Sequence, residues 1–238
     1  MSLLKTPRFV IAVLGLLLSA TLAAQQQAFA DPSLVDMPDE TGLPRALLIG
    51  DSISMDYTVP VRRLLQGRAN VHRIPMNGST TLTGLQNLSP WLGDKKWDVI
   101  HFNWGLHDLT VMPDGSFQVD LSSYEKNLRV LVTQLKRSGA ALIWATTTPV
   151  PDASVDHLLR RQRDVVPYNT VARKVMDENK IAIDDLYTLA LPRLTEIQKP
   201  ANVHFTDYGS ELLARSVGKS ILSTLEKREK SKLKNSAP

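Results

Sequence analysis

The chain has 238 residues, 43% of them apolar and 22% charged, which suits one domain with a sizeable core and excludes a mostly disordered chain. Its formal charge of +4 is concentrated at the two ends, in Lys5 and Arg8 and in a surplus of lysines after Glu226, so the body between is close to neutral and offers no basic surface for nucleic acid. Without cysteine there are no disulfides, thiolate metal sites or cysteine nucleophile.

Lys5 and Arg8 precede an apolar run over residues 9–24, and small residues follow at Ala28 and Ala30. This is the pattern of a secretory signal peptide, residues 1–30, cut after Ala30. The run of 16 residues is shorter than the ~20 a bilayer requires. The mature chain is therefore expected to carry no membrane span and to be periplasmic or secreted. Residues 31–44 are rich in Pro and Asp and read as an extended lead-in.

Residues 45–50 form a short apolar run closed by Gly50, the pattern of a buried strand. A helix is expected over 59–66, a second strand over 70–74 and a third over 97–103. Residues 122–137 predict a strong helix, with Leu128, Leu131, Val132 and Leu135 at 3–4 spacing and Gly139 as its stop. A fourth strand over 140–145, a helix over 165–179 and a fifth strand over 181–183 follow. Thr206 is placed to cap a last helix carrying Leu212, Leu213, Val217, Ile221, Leu222 and Leu225 on one face. Alternating strands and helices predict a parallel sheet covered on both faces, with sites beyond the carboxyl ends of its strands. One domain over 45–225 and a basic tail over 226–238 account for the rest.

Chemistry is therefore sought where strands end. Ser52 follows the first strand, residues 77–84 follow the second, and residues 103–108 follow the third; His204 precedes the last helix. A serine beside a histidine that takes its proton is a nucleophile when donors hold the developing oxyanion. Singly, each residue has a plainer use: Ser52 as a helix cap, Gly78 as a turn glycine, His204 as a packed ring.

Taken in order, four segments resemble the blocks of the SGNH (GDSL-type) hydrolases. They are Gly50-Asp51-Ser52, Gly78 with Thr80 and Gly84, Gly105-Leu106-His107-Asp108, and Val203-His204-Phe205-Thr206. The resemblance spans residues 45–225. Tyr168-Asn169 and Asp185-Leu186-Tyr187 resemble a subgroup of secreted bacterial members. The resemblance implies a three-layer α/β/α sandwich around a mostly parallel, five-stranded, flavodoxin-like sheet, and hydrolysis of esters without a metal or other cofactor. It implies Ser52 as nucleophile and His204 as general base. The Ser52 N–H, the Gly78 N–H and the His107 side chain would form the oxyanion hole. Asp51 and Asp108 are expected to be structural, bonding loop N–H groups.

Two departures from the family pattern matter. His107 stands where the third block usually has Asn, and Ala201 stands three residues before His204, where the family has an acid. A neutral imidazole still donates one hydrogen bond. Asn202 is a candidate to orient the His204 ring, with Asp207 or a backbone carbonyl as other options. Expected substrates are small-molecule or carbohydrate esters of short acyl groups, acetyl foremost, since no greasy surface loop is evident. The loop over 149–167, with Asp152, Asp156, His157, Arg160, Arg161 and Arg163, is expected to be solvated with local ion pairs. Two alternatives are a metal-dependent hydrolase on His107 and Asp108, joined by His101 or His204, and an exported binding module that has lost activity.

Overall fold

A computed structural model describes residues 31–151 and 158–236. The expected leader, and Asp152, Asp156 and His157 of the 149–167 loop, lie outside the described residues. Five strands make one sheet in which every pair is parallel, in the order β2-β1-β3-β4-β5. They are β1 (Arg45–Ile49), β2 (Asn70–Arg73), β3 (Val99–Phe102), β4 (Ala141–Ala145) and β5 (Ala182–Asp184). Parallel neighbours need crossovers, and the helices supply them. In chain order these are α1 (Ser52–Leu64), α2 (Thr81–Leu92), α3 (Leu121–Arg137), α4 (Gln162–Glu178), α5 (Leu186–Ala190), α6 (Leu194–Ile197) and α7 (Asp207–Ser236). Helices α1 and α7 pack together on one face, while α2, α3 and α4 pack in series on the other. Covered on both sides, β1 and β3 are mostly apolar, with His101 the buried polar exception in β3, and Leu47, Leu48, Ile100 and Phe102 are fully buried.

Local sequence explains several boundaries. Asp120 caps α3 by accepting the Ser122 and Ser123 N–H groups, both at 3.0 Å, and Leu128, Leu131, Val132 and Leu135 are buried as their spacing predicts. Helix α1 begins at Ser52 rather than at Val59, because Asp51 accepts the Ile53 N–H at 3.0 Å and caps it seven residues earlier. Helix α2 was not expected. Its cap, Thr80, and its interior Pro90 disguise a helix whose buried face is Thr81, Gly84, Leu88 and Trp91. Thr206 caps α7, accepting the Gly209 N–H at 3.1 Å. That helix continues through the basic segment to Ser236, and Arg228 on it bonds the Gly139 carbonyl at 2.9 Å.

The lead-in over 31–44 starts with a turn and is tied down. Arg62 donates to the Pro32 and Val35 carbonyls at 2.9 Å each, Asn70 accepts the Glu40 N–H at 2.8 Å, and His72 lies 2.7 Å from Asp39. Among the described residues no helix is long and apolar enough to cross a membrane.

Candidate active site

All five strands run the same way, so β1, β2 and β3 deliver their following loops to one edge of the sheet. There Ser52 is the first residue of α1, half-buried, and its N–H has no partner within the helix. The facing loop ends in His204. Val203 and Phe205 on either side of it are buried at 2% exposure each, so the alternation turns His204 outward. Gln198 steadies this loop from below, bonding the Pro149 carbonyl at 2.9 Å and the Val203 carbonyl at 3.3 Å.

The two side chains, 152 positions apart in the chain, meet: His204 Nε2 lies 2.9 Å from Ser52 Oγ. Asn202 Oδ1 accepts the His204 backbone N–H at 2.9 Å and lies 2.8 Å from the ring Nδ1. A backbone N–H only donates, so the Asn202 atom it reaches is the amide oxygen. The ring Nδ1 must then carry the hydrogen, which leaves Nε2 bare and able to accept from the Ser52 hydroxyl. Ala201 sits beside this bond with φ of 50° and brings no acid.

Asp51 and Asp108 both hold backbone. Asp51 caps α1. Asp108, fully buried, accepts the Thr81 N–H at 2.9 Å and the Thr81 hydroxyl at 2.5 Å, tying the loop after β3 to the start of α2. Burial pushes the Asp108 carboxyl up to about 6, despite the Thr81 bonds that favour its charge. The folded protein therefore holds this proton more tightly than the unfolded chain. Stability from this group is greatest at low pH and falls as pH rises from about 4 through about 6, by about 3 kcal/mol in all. Asp108→Asn removes the titration. Urea unfolding of both proteins at pH 4 and pH 7 is expected to show the variant gaining on the native chain by most of that amount, and a pH-independent difference would contradict the assignment.

One expected role is corrected by the geometry. The Gly78 N–H, expected to point at an oxyanion, instead donates to the Gly50 carbonyl at 2.9 Å. Gly78 is required there for close approach, since a Cβ would meet Gly50 O at 2.8 Å. It locks the loop after β2 to the Gly50–Ser52 turn, and with this N–H so engaged the expected oxyanion role does not fit the geometry. His107 is half-buried on the loop after β3, and Gly105 opens that loop with φ of +148°. A Cβ at Gly105 would lie 2.3 Å from Thr147 Oγ1, so no other residue fits.

The metal alternative meets specific obstacles. Asp108 spends one oxygen on Thr81, His101 is buried and bonded to Asp184 at 3.1 Å, and His204 is held by Ser52 and Asn202. Among the described residues no three His, Asp or Glu side chains converge as a metal site would require.

Several residues shape this edge in ways that the sequence does not assign to them. Arg73 reaches under the nucleophile turn. Asn103 donates to the Ala145 carbonyl at 2.7 Å, joining the ends of β3 and β4. Arg160, expected in a solvated loop, is buried at 2% exposure and donates to the Leu106 carbonyl at 2.8 Å, bracing the segment that carries His107. The Arg161–Asp164 pair of that loop, at 2.5 Å, is local and partly solvated, as expected. The same loop pairs Leu159 with Val111 and exposes Leu158 and Leu159, so it is greasier than expected. Charge and loop position give no sign that Arg160 is buried or that a half-buried Arg73 reaches under this turn; the only hint for Arg73 is a cation at the end of a short strand.

A family model described as GDSL-like Lipase/Acylhydrolase matches residues 48–212. No curated protein matches the chain significantly. Among solved structures, a lipase/acylhydrolase from Enterococcus faecalis superposes with a TM-score of 0.66 at 21% identity, covering 76% of this chain and 96% of that one. An acetyl xylan esterase, AlAXEase, gives 0.64 at 18% identity, over 74% and 99% of the two chains. The acetylxylan esterase Axe2 from Geobacillus stearothermophilus gives 0.62 at 21% identity, over 79% and 96%. At these identities the structures report a shared fold.

Proposed function

From the premise that this chain belongs to the GDSL-like lipase/acylhydrolase family and is an ester-cleaving hydrolase, we propose that it removes short acyl groups, acetyl foremost, through an acyl-enzyme on Ser52. The observation that carries this reading is the 2.9 Å contact between Ser52 Oγ and a His204 ring whose tautomer Asn202 fixes.

The chemistry follows from that tautomer. As Ser52 Oγ bonds to the ester carbonyl carbon, its proton passes to His204 Nε2. The carbonyl π electrons move to oxygen, and the Ser52 N–H, at the positive end of α1, faces the charge together with the His107 ring. The adduct collapses, the ester C–O bond breaks, and the leaving oxygen takes the proton back from His204. A water then gives its proton to the same Nε2 as it attacks the acyl carbon; the Ser52 Oγ–carbon bond breaks, Nε2 returns the proton to Oγ, and the acid leaves. Every step moves a proton through one imidazole, and no step requires a metal.

Two features bear on substrate. The resemblance and the acetylxylan esterases of like fold support an acetylated carbohydrate. The exposed Leu158 and Leu159 favour a second reading, longer acyl chains, which a series of esters from acetate to decanoate separates. Export through residues 1–30 belongs to the proposal and puts the enzyme where extracellular polymers are met.

A fluorophosphonate probe tests the reading. It is expected to modify one residue, Ser52, identified by mass spectrometry of the labelled peptide. A folded protein that is not labelled would instead support an exported binding module without turnover.

A further inference from the structure

With the Gly78 N–H committed to Gly50, one donor the family pattern supplies is absent, and a cation that grips the same turn gains importance. Arg73, the last residue of β2, lies beneath the nucleophile turn. Its Nη1 donates to Ser54 Oγ at 2.5 Å, and its Nη2 donates to the Gly50 carbonyl at 2.8 Å and the Asp51 carbonyl at 3.2 Å. A longer contact reaches the Met76 carbonyl at 3.5 Å. Each of these acceptors is neutral. The nearby Asp51 carboxylate is turned away to the Ile53 N–H, and burial pushes the guanidinium down to about 10.

A half-buried guanidinium that faces neutral oxygens, its Nε enclosed without a partner, is a costly way to pin a turn, since neutral donors would hold the same carbonyls. Its position suggests what the charge does. The Asp51 carbonyl and the Ser52 N–H belong to one peptide unit. A charged donor on that carbonyl draws electron density through the peptide and makes its N–H a stronger donor. The same guanidinium adds positive potential beside the turn, in the sense of the α1 dipole.

We propose that Arg73 is a positioning residue for ester hydrolysis, which holds the Asp51–Ser52 peptide and polarises it so that the Ser52 N–H stabilises the oxyanion. The inference rests on the Ser52 reading above and goes beyond it.

The test compares the native chain with Arg73→Gln and Arg73→Lys on p-nitrophenyl acetate, with a boronic acid as a mimic of the tetrahedral adduct. Thermal unfolding reports the brace separately. Arg73→Gln is expected to lower kcat roughly tenfold with KM within about twofold, and to weaken the boronic acid by the same factor as kcat. Arg73→Lys, which keeps the charge but loses the fork, is expected to fall between the two. Loss of thermal stability with unchanged kcat and boronic acid affinity would overturn the proposal and leave Arg73 a brace. If Arg73→Gln does not fold, Arg73→Lys decides alone: native values of both quantities overturn it. Ser52→Ala is run alongside. Turnover that depends on Ser52 but not on Arg73 overturns this inference only, whereas turnover surviving in Ser52→Ala overturns the parent reading and this one with it.

Discussion

Ser52→Ala is expected to lower kcat for an acetate ester by on the order of 10⁴-fold or more, while the unfolding midpoint stays at the native value. The two halves of this expectation have separate causes. The hydroxyl is the only atom that forms the acyl bond, so its loss leaves what the remaining donors and binding contribute on their own. It does little for the fold: Ser52 is half-buried at a helix start that Asp51 caps, and among the described residues its Oγ bonds His204. Solvent can satisfy the His204 nitrogen left behind. The measurement is steady-state turnover beside thermal unfolding, with phosphonate labelling as a control. Turnover that survives in the folded variant would move the nucleophile elsewhere.

Substitutions at Asn202 are expected to act in both directions. Asn202→Ala removes the acceptor that holds Nδ1–H, so the ring samples the wrong tautomer and orientation; a loss of about 10²-fold in kcat is expected, with KM little changed. Asn202→Asp keeps an oxygen where both the His204 N–H and Nδ1 point, at 2.9 and 2.8 Å, and adds a negative charge. The imidazolium formed as Ser52 attacks then gains the counter-ion that Ala201 does not provide, and kcat is expected to rise roughly tenfold. The effect of the added charge stays far below that of losing the serine, because the amide already selects the tautomer. Native kcat in a folded Asn202→Ala would remove Asn202 from the mechanism.

Much of this site was legible before the fold was known, for a reason particular residues make plain. Ser52, the His107 loop and His204 each sit where a strand ends or a helix begins, and apolar runs and caps mark such places directly. The periodicity of 122–137 located α3 to within a residue. Signals that compete along the chain were read less well. The cap at Asp51 and the serine it precedes resemble a turn, so the first turns of α1 were missed. Thr80, Pro90 and the polar start of α2 hid a helix whose Leu85, Leu88 and Trp91 spacing was present all along. Buried charge was illegible. Nothing along the chain says that Asp184 at the end of β5 will meet His101 and be held below the usual carboxylate range: burial works against its charge, and bonds from His101, Ser216 and Ser220 outweigh it.

Residue order alone determined the class of sheet, the edge at which chemistry gathers, and the serine and histidine that stand there, because these depend on apolar spacing, turn residues and chain direction. Only the folded chain decided which hydrogen-bond donors remain free. The Gly78 N–H is spent on Gly50 across a loop contact, and among the candidates to orient His204 it is Asn202 on whose single oxygen two donors of that residue converge. Hydrogen-bond donors are spent one at a time, and the claims on each come from chain segments that are distant in sequence and are settled only when those segments touch.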